Sequence, residues 1–221
     1  MPTIHGASLS PFVRKVRVCL LLKSIDYDLT MVFPGSEDPE FRKISPLGKI
    51  PAFTDGAYSL CDSSAICAYL EKKQPTPAIF PDDAAALGKA LWYEEYADTK
   101  MLEDATVQIF FPRVVTAKLM RQEIDTVAVQ QVVDQNVPPI FDYLEDQLST
   151  RSQDKPYFVG DRLTIADISV ASQLINLNHA GVEFDQARWP HLVRFFEFHT
   201  AEDYFSGFLT EERAFIETNG A

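Results

Sequence analysis

The residues whose types and spacing could do chemistry lie between His5 and Arg17, in the run His5-Gly6-Ala7-Ser8-Leu9-Ser10-Pro11-Phe12-Val13-Arg14-Lys15-Val16-Arg17. Serine is a preferred helix N-cap, and proline a preferred first helical residue because its missing N–H has no intrahelical bond to lose there. A helix should therefore begin at Pro11. Its first amides carry partial positive charge and favour an anion over the turn, such as a thiolate or carboxylate. A serine hydroxyl in that place can donate a hydrogen bond to the same anion. Ser8 sits in the same turn and is the rival donor, and the plainer alternative is that Ser10 only caps the helix. His5 reads as a hydrogen-bonded structural residue of the preceding strand.

Those residues need elements to hold them. Pro2-Thr3-Ile4-His5 suits a short strand, Pro11 to about Ser24 a helix, and Asp26 to Val32, with Tyr27, Leu29 and Met31 alternating, a second strand. Val13, Val16, Cys19 and Leu20 lie near one face of the helix, with Arg14, Lys15 and Arg17 on the rest. Strand, helix, strand in this span is a βαβ unit with parallel strands. Asp38-Pro39-Glu40-Phe41 opens a short helix that Pro46 stops. Lys49 to Phe53 and Ala57 to Leu60 form strands around Asp55-Gly56, a tight-hairpin dipeptide, so the sheet ends antiparallel. Asp62-Ser63 caps a helix through about Lys73 that should bury Ile66, Tyr69 and Leu70, and residues 74–84, with Pro75 and Pro77, read as a linker.

From Ala84 onward the strand pattern gives way to amphipathic helical segments at about 85–117, 121–149, 164–179 and 190–199. Thr164-Ile165-Ala166-Asp167 has the form of a capping box, a folding device rather than a chemical one. Charge divides along the same line. Residues 1–80 carry 9 Lys+Arg and 8 Asp+Glu, a net of +1, whereas residues 81–221 carry 11 and 24, a net of −13. An acidic second half repels phosphate backbones and anionic membranes, which argues against a nucleic-acid or membrane partner, and the near-neutral first half is the better home for an anionic ligand. No run of about 18 apolar residues occurs, and the N-terminus lacks the basic-then-apolar layout of a signal peptide. Cys19, Cys61 and Cys67 are odd in number and show neither CxxC nor Cys/His ligand spacing, so no disulfide framework or metal site is expected, and a reducing cytoplasm fits.

Four features in order resemble the cytosolic glutathione transferase family, and of its branches the serine-type one of bacteria and plants. They are the Ser10-Pro11-Phe12-Val13-Arg14-Lys15-Val16-Arg17 helix start, Ser45-Pro46-Leu47-Gly48-Lys49-Ile50-Pro51, Cys61-Asp62-Ser63-Ser64-Ala65-Ile66, and Gly160-Asp161 followed by the Thr164–Asp167 box. The resemblance covers essentially the whole chain. It implies an α/β plus all-α architecture: a thioredoxin-like βαβαββα domain at 1–78 that binds glutathione, then an all-helical domain at 85–221 that shapes the hydrophobic co-substrate site. A homodimer is implied, with glutathione as co-substrate and no metal.

The site residues follow from the same resemblance. Thiol-disulfide relatives carry Cys-Pro-aromatic-Cys where this chain has Ser10-Pro11-Phe12-Val13, so dithiol chemistry is absent and a hydroxyl stands in place of the sulfur. Such a hydroxyl can hydrogen-bond the glutathione thiol and lower its pKa. The family's usage favours Ser10 over Ser8. Pro51 matches the family's cis-proline, a rare bond type, and would present the Ile50 backbone to the cysteinyl part of glutathione. Asp62 and Ser63 match the acidic-Ser pair for the γ-glutamyl group, while an ordinary cap would use the same free amides. Lys49 is the candidate for the glycyl carboxylate. Phe12, Phe110 and Arg113, with Tyr96, Phe111 and Leu119, could line the co-substrate site, although aromatic residues at helical spacing also serve as plain core.

The implied function is activation of the glutathione thiol as thiolate for attack on a hydrophobic electrophile, with glutathione-dependent peroxidase activity in view; a glutathione-transferase-like binding or regulatory protein is the alternative. Zeta-type isomerases carry a Ser-Ser-Cys-Ser run whose central Ser-Cys is replaced here by Pro11 and Phe12, which disfavours maleylacetoacetate isomerisation. An omega-type cysteine is also absent.

Overall fold

A computed structural model describes residues 1–152 and 154–220. It contains two compact units, Met1–Ile79 and Phe80–Ala221. The first is built from β1 (Thr3–His5), α1 (Pro11–Leu22), β2 (Asp28–Thr30), α2 (Pro39–Ile44), β3 (Ala52–Asp55), β4 (Tyr58–Cys61) and α3 (Ser63–Lys73). The sheet order is β2-β1-β3-β4. β1 and β2 pair in parallel, with Ile4 opposite Leu29, as the crossover through α1 requires. β1 and β3, and β3 and β4, pair antiparallel, placing Phe53 opposite both Ile4 and Leu60, and the hairpin closes with Asp55 opposite Tyr58. α1 and α3 pack against each other. Ile4, Val13, Val16, Leu20, Phe53, Ile66 and Leu70 are fully buried and form the core of this unit.

Two expectations from periodicity give way here. Arg14, Lys15 and Arg17 are buried along with the apolar face of α1. Buried cations must keep polar partners, and the segments around this helix supply them. Arg17 Nε donates to Tyr27 Oη at 2.8 Å, Lys15 Nζ to Ser64 Oγ at 3.3 Å, and the fully buried Lys23 Nζ to Glu71 Oε2 at 2.6 Å. Tyr69, in turn, is only half-buried: its hydroxyl donates to Asp55 Oδ2 at 2.9 Å, so the ring lies along the surface of the hairpin, stacked on Tyr58 with centroids 4.9 Å apart.

The regular elements among the described residues of the second unit are all helical. They are α4 (Ala84–Tyr96), a π-wound segment (Ala97–Leu119), α5 (Thr126–Ser149), α6 (Ile165–His179), α7 (Pro190–Ala201) and α8 (Asp203–Gly220). α6 is buried over nearly its whole length and packs on α4 and the π-wound segment. Its start is the expected capping box: Asp167 Oδ2 accepts from Thr164 N at 2.8 Å, and Oδ1 reaches back to Phe158 N at 2.7 Å. Two features go beyond the sequence pattern. The segment read as one helix over 85–117 widens to π geometry from Ala97, with Pro112 inside it. α8 was not expected, and it buries Phe205, Leu209, Glu212 and Ile216. Among the described residues no helix is long and apolar enough to cross a membrane, and none of their His, Cys, Asp and Glu side chains cluster as a metal site.

Candidate functional site

The start of α1 is built as its sequence dictates. Ser10 is the N-cap in extended conformation, Pro11 occupies the first helical position, and Ser10 Oγ accepts from Val13 N at 3.4 Å. The turn before it closes with Ser10 N donating to Ala7 O at 3.0 Å. The two serines of this turn differ in setting: Ser8 is 4% exposed, whereas Ser10 is half-exposed at the helix mouth. A hydroxyl that accepts from the helix keeps its own proton to donate outward, so Ser10 is equipped to meet an anion there. Phe12 is half-exposed at the same helix start, with the Lys15 ammonium 5.9 Å from its ring centroid.

Gly6 brings the next part of the site against this turn. A Cβ there would lie 2.5 Å from Val13 Cγ2 and 3.4 Å from Ile50 Cβ. Only a glycine lets the end of β1, the first turn of α1 and the Ile50 loop approach this closely. The Ile50–Pro51 peptide bond is cis, Ile50 and Pro51 are buried, and Lys49 is exposed. The Lys49 carbonyl accepts from Ser45 Oγ at 2.7 Å. Beside it Gly48 has φ +66°, a left-handed backbone conformation that favours glycine.

Asp62 and Ser63 form the third part. Asp62 caps α3 by accepting from Ser64 N at 3.0 Å and Ala65 N at 3.1 Å, and Ser63, the first helical residue, is buried. Asp62 does this at φ +77°, a backbone conformation that L-residues other than glycine avoid, at a cost of about 1–3 kcal/mol. A capping residue ordinarily sits in the extended region. Strain of this kind concentrates at functional sites. The Lys15–Ser64 hydrogen bond ties α1 to this helix start. Neither the strain at Asp62 nor the Lys15 contact was legible from residue types.

The remaining candidates are placed as follows. His5 Nε2 lies 3.2 Å from Thr54 Oγ1, and burial lowers the pKa of its ring. Phe110 is 3% exposed within the π-wound segment. Arg113 donates to Ala180 O at 3.2 Å and to Gln130 Oε1 at 2.7 Å, lining a cleft of about 450 Å³ with Asp134, Val137, Val182 and Trp189. Ser10, Ile50, Pro51, Asp62 and Ser63 thus share one unit, and Phe110 and Arg113 belong to the other.

The family models agree with this geometry. Residues 4–78 match "Glutathione S-transferase, N-terminal domain" and residues 101–198 match "Glutathione S-transferase, C-terminal domain". The chain belongs to the cytosolic glutathione S-transferase family and is, as an enzyme, a glutathione transferase. Among its relatives is a glutathione S-transferase of Triticum aestivum, 30% identical over 196 residues, which cover 87% of this chain and 85% of that protein. A protein of Drosophila melanogaster named probable maleylacetoacetate isomerase 1 is 30% identical over 186 residues, covering 81% and 70%. A solved glutathione S-transferase from Rhodospirillum rubrum superposes with a TM-score of 0.84 over 95% of this chain and 92% of that one, at 24% identity, a likeness of fold.

Proposed function

We propose that this transferase activates the glutathione thiol as thiolate at Ser10, for attack on a hydrophobic electrophile, and that the same thiolate reduces hydroperoxides. Ser10 Oγ donates to the sulfur while the α1 N-terminus adds positive potential, and both favour thiolate over thiol. Each unit of pKa lowering amounts to about 1.4 kcal/mol of differential stabilisation. Ser10 is not the nucleophile. The Ile50 backbone pairs with the cysteinyl part of glutathione beside Pro51, Asp62 receives the γ-glutamyl ammonium, Ser63 and the first amides of α3 receive its carboxylate, and Lys49 receives the glycyl carboxylate. Phe12 is the co-substrate contact best supported, because it is half-exposed beside Ser10; Phe110 and Arg113 would first have to leave the burial and hydrogen bonds described above. In this reading residues 1–78 bind glutathione, residues 85–221 shape the co-substrate site, and the protein works as a cytoplasmic homodimer.

The observation that carries the reading is the Ser10 cap: a half-exposed hydroxyl at the mouth of a proline-started helix, with Ser8 withdrawn into the interior. The test is conjugation of glutathione to a chloronitrobenzene acceptor, reduction of cumene hydroperoxide, and retention on immobilised glutathione. Turnover with retention is expected. Retention without turnover would make this a glutathione-binding protein without catalysis, and loss of both would overturn the reading.

The Drosophila relative's name favours one second reading, cis–trans isomerisation of maleylacetoacetate. Pro11 and Phe12, which replace the zeta-type Ser-Cys, stand against it. Isomerisation faster than conjugation in the same preparation would reverse the ranking.

A further inference from the structure

Three pairs of side chains mark the seam between α1 and α3. Lys15 Nζ donates to Ser64 Oγ at 3.3 Å, Cys19 Sγ lies 3.3 Å from Cys67 Sγ, and Lys23 Nζ donates to Glu71 Oε2 at 2.6 Å and Gln74 O at 2.7 Å. Successive partners are three or four residues apart on both helices, about one turn each. The helices therefore run parallel with their capped starts at the same end. The two cysteines occupy the middle turn, held in register by a polar contact on either side. Both thiols are fully buried.

We propose that Cys19 and Cys67 form a reversible disulfide that staples α1 to α3, with a hydroperoxide as the oxidant. A disulfide places its sulfurs about 2.05 Å apart, so the pair must close by about 1.2 Å. One sulfur attacks a peroxide oxygen: the O–O bond breaks, the alcohol leaves, and a sulfenic acid forms. The facing sulfur then attacks the sulfenic sulfur: the S–S bond forms, the S–O bond breaks, and the oxygen leaves as water with the second thiol's proton. Two thiols lose two electrons, and the hydroperoxide is reduced to an alcohol and water. Burial makes the first step slow, because the oxidant reaches either thiol only when the seam opens. Proximity makes the second step fast. The product fixes the helix start bearing Ser10 relative to the one bearing Asp62. It does not depend on the catalytic role given to Ser10, so the two proposals fail independently.

Cys61 is half-exposed and would react separately. The test therefore uses the full chain carrying Cys61→Ser. The protein is incubated with tert-butyl hydroperoxide, alkylated in denaturant without reductant, digested and weighed. The expected product is a pair of peptides joined through Cys19 and Cys67, two hydrogens lighter than the separate thiols and released by dithiothreitol. The unfolding midpoint should rise by several degrees, since the cross-link restricts the unfolded chain. Complete alkylation of both cysteines, after an exposure that oxidises the unfolded chain, would overturn the proposal. Oxidation to sulfinic acids without a link, or the same midpoint rise in a Cys67→Ala protein, would do so as well.

Discussion

Asp62 combines a cap, a strained backbone and a charge, and three substitutions separate them. Asp62→Asn keeps an oxygen that can accept from Ser64 N and Ala65 N, and asparagine matches aspartate in shape and meets the same backbone strain, so only the charge is removed. Its stability cost should be the helix-dipole contribution alone, about 0.3–1 kcal/mol. Asp62→Gly loses the cap but relieves the strain at φ +77°. Asp62→Ala loses the cap, about 0.5–2 kcal/mol, and keeps the Cβ strain that Asp62 already carries, about 1–2 kcal/mol that Gly is spared. Chemical unfolding of the apo protein should therefore rank both Asn and Gly above Ala. Glutathione affinity should rank differently. A charge-assisted hydrogen bond to the γ-glutamyl ammonium is worth about 1.5–3 kcal/mol. The Asp62 carboxylate is exposed without ligand, so solvent screening favours the lower end, roughly tenfold weaker binding by Asp62→Asn in calorimetric titration. Wild-type affinity in a folded Asp62→Asn protein would refute the ammonium assignment, and Ala more stable than Gly would refute the strain argument.

Gly6→Ala should destabilise by about 1–3 kcal/mol through the 2.5 Å approach to Val13, lowering the midpoint by roughly 2–4 °C per kcal/mol. In Gly6→Ala/Val13→Ala the combined loss should fall short of the sum of the single losses, as a double-mutant cycle would measure; strict additivity would show that no clash occurs. Burial pushes the Asp167 carboxyl up to about 7, although Phe158 and Thr164 donate hydrogen bonds that pull it back, and burial lowers the His199 ring to about 4. Between about pH 4 and 6.5 the folded protein holds a proton on Asp167 that the unfolded chain has released, while His199 lacks one that the unfolded chain holds, so their opposed slopes of about 1.4 kcal/mol per pH unit nearly cancel. In a folded His199→Gln protein the unfolding free energy, relative to wild type at each pH, should fall as pH rises through that window, and an unchanged profile in urea titrations would refute this.

Legibility from sequence followed the range of the interactions. The Ser10 and Asp62 caps, the Asp55-Gly56 hairpin and the Thr164–Asp167 box use donors and acceptors a few residues apart, so residue types were enough to find them. The burial of Arg14, Lys15 and Arg17 depends on Tyr27, Ser64 and the other groups packed over α1, which no helical period encodes. Cys19 and Cys67 are 48 positions apart and meet only through the α1–α3 seam. α8 had a usable signal in Phe205, Leu209 and Ile216, but a glutamate stands at the next inward position. Glu212 is buried there, hydrogen-bonded with His179 Nε2 at 2.9 Å, so an inward position carries a polar residue.

The central claim is that the Ser10 hydroxyl stabilises a glutathione thiolate, and the most direct measurement is the pKa of the bound thiol, read from thiolate absorbance across a pH titration in wild-type and Ser10→Ala proteins. Losing the cap to Val13 costs about 0.5–1 kcal/mol of stability and leaves the protein folded. The bound thiol should titrate about one unit or more higher in the variant, with turnover down about tenfold or more and glutathione affinity changed little, because the Ser10 hydroxyl meets only the sulfur of the bound peptide. An unchanged thiol pKa in Ser10→Ala, with glutathione still bound, would contradict the account and leave the thiolate to Ser8 or to the helix amides.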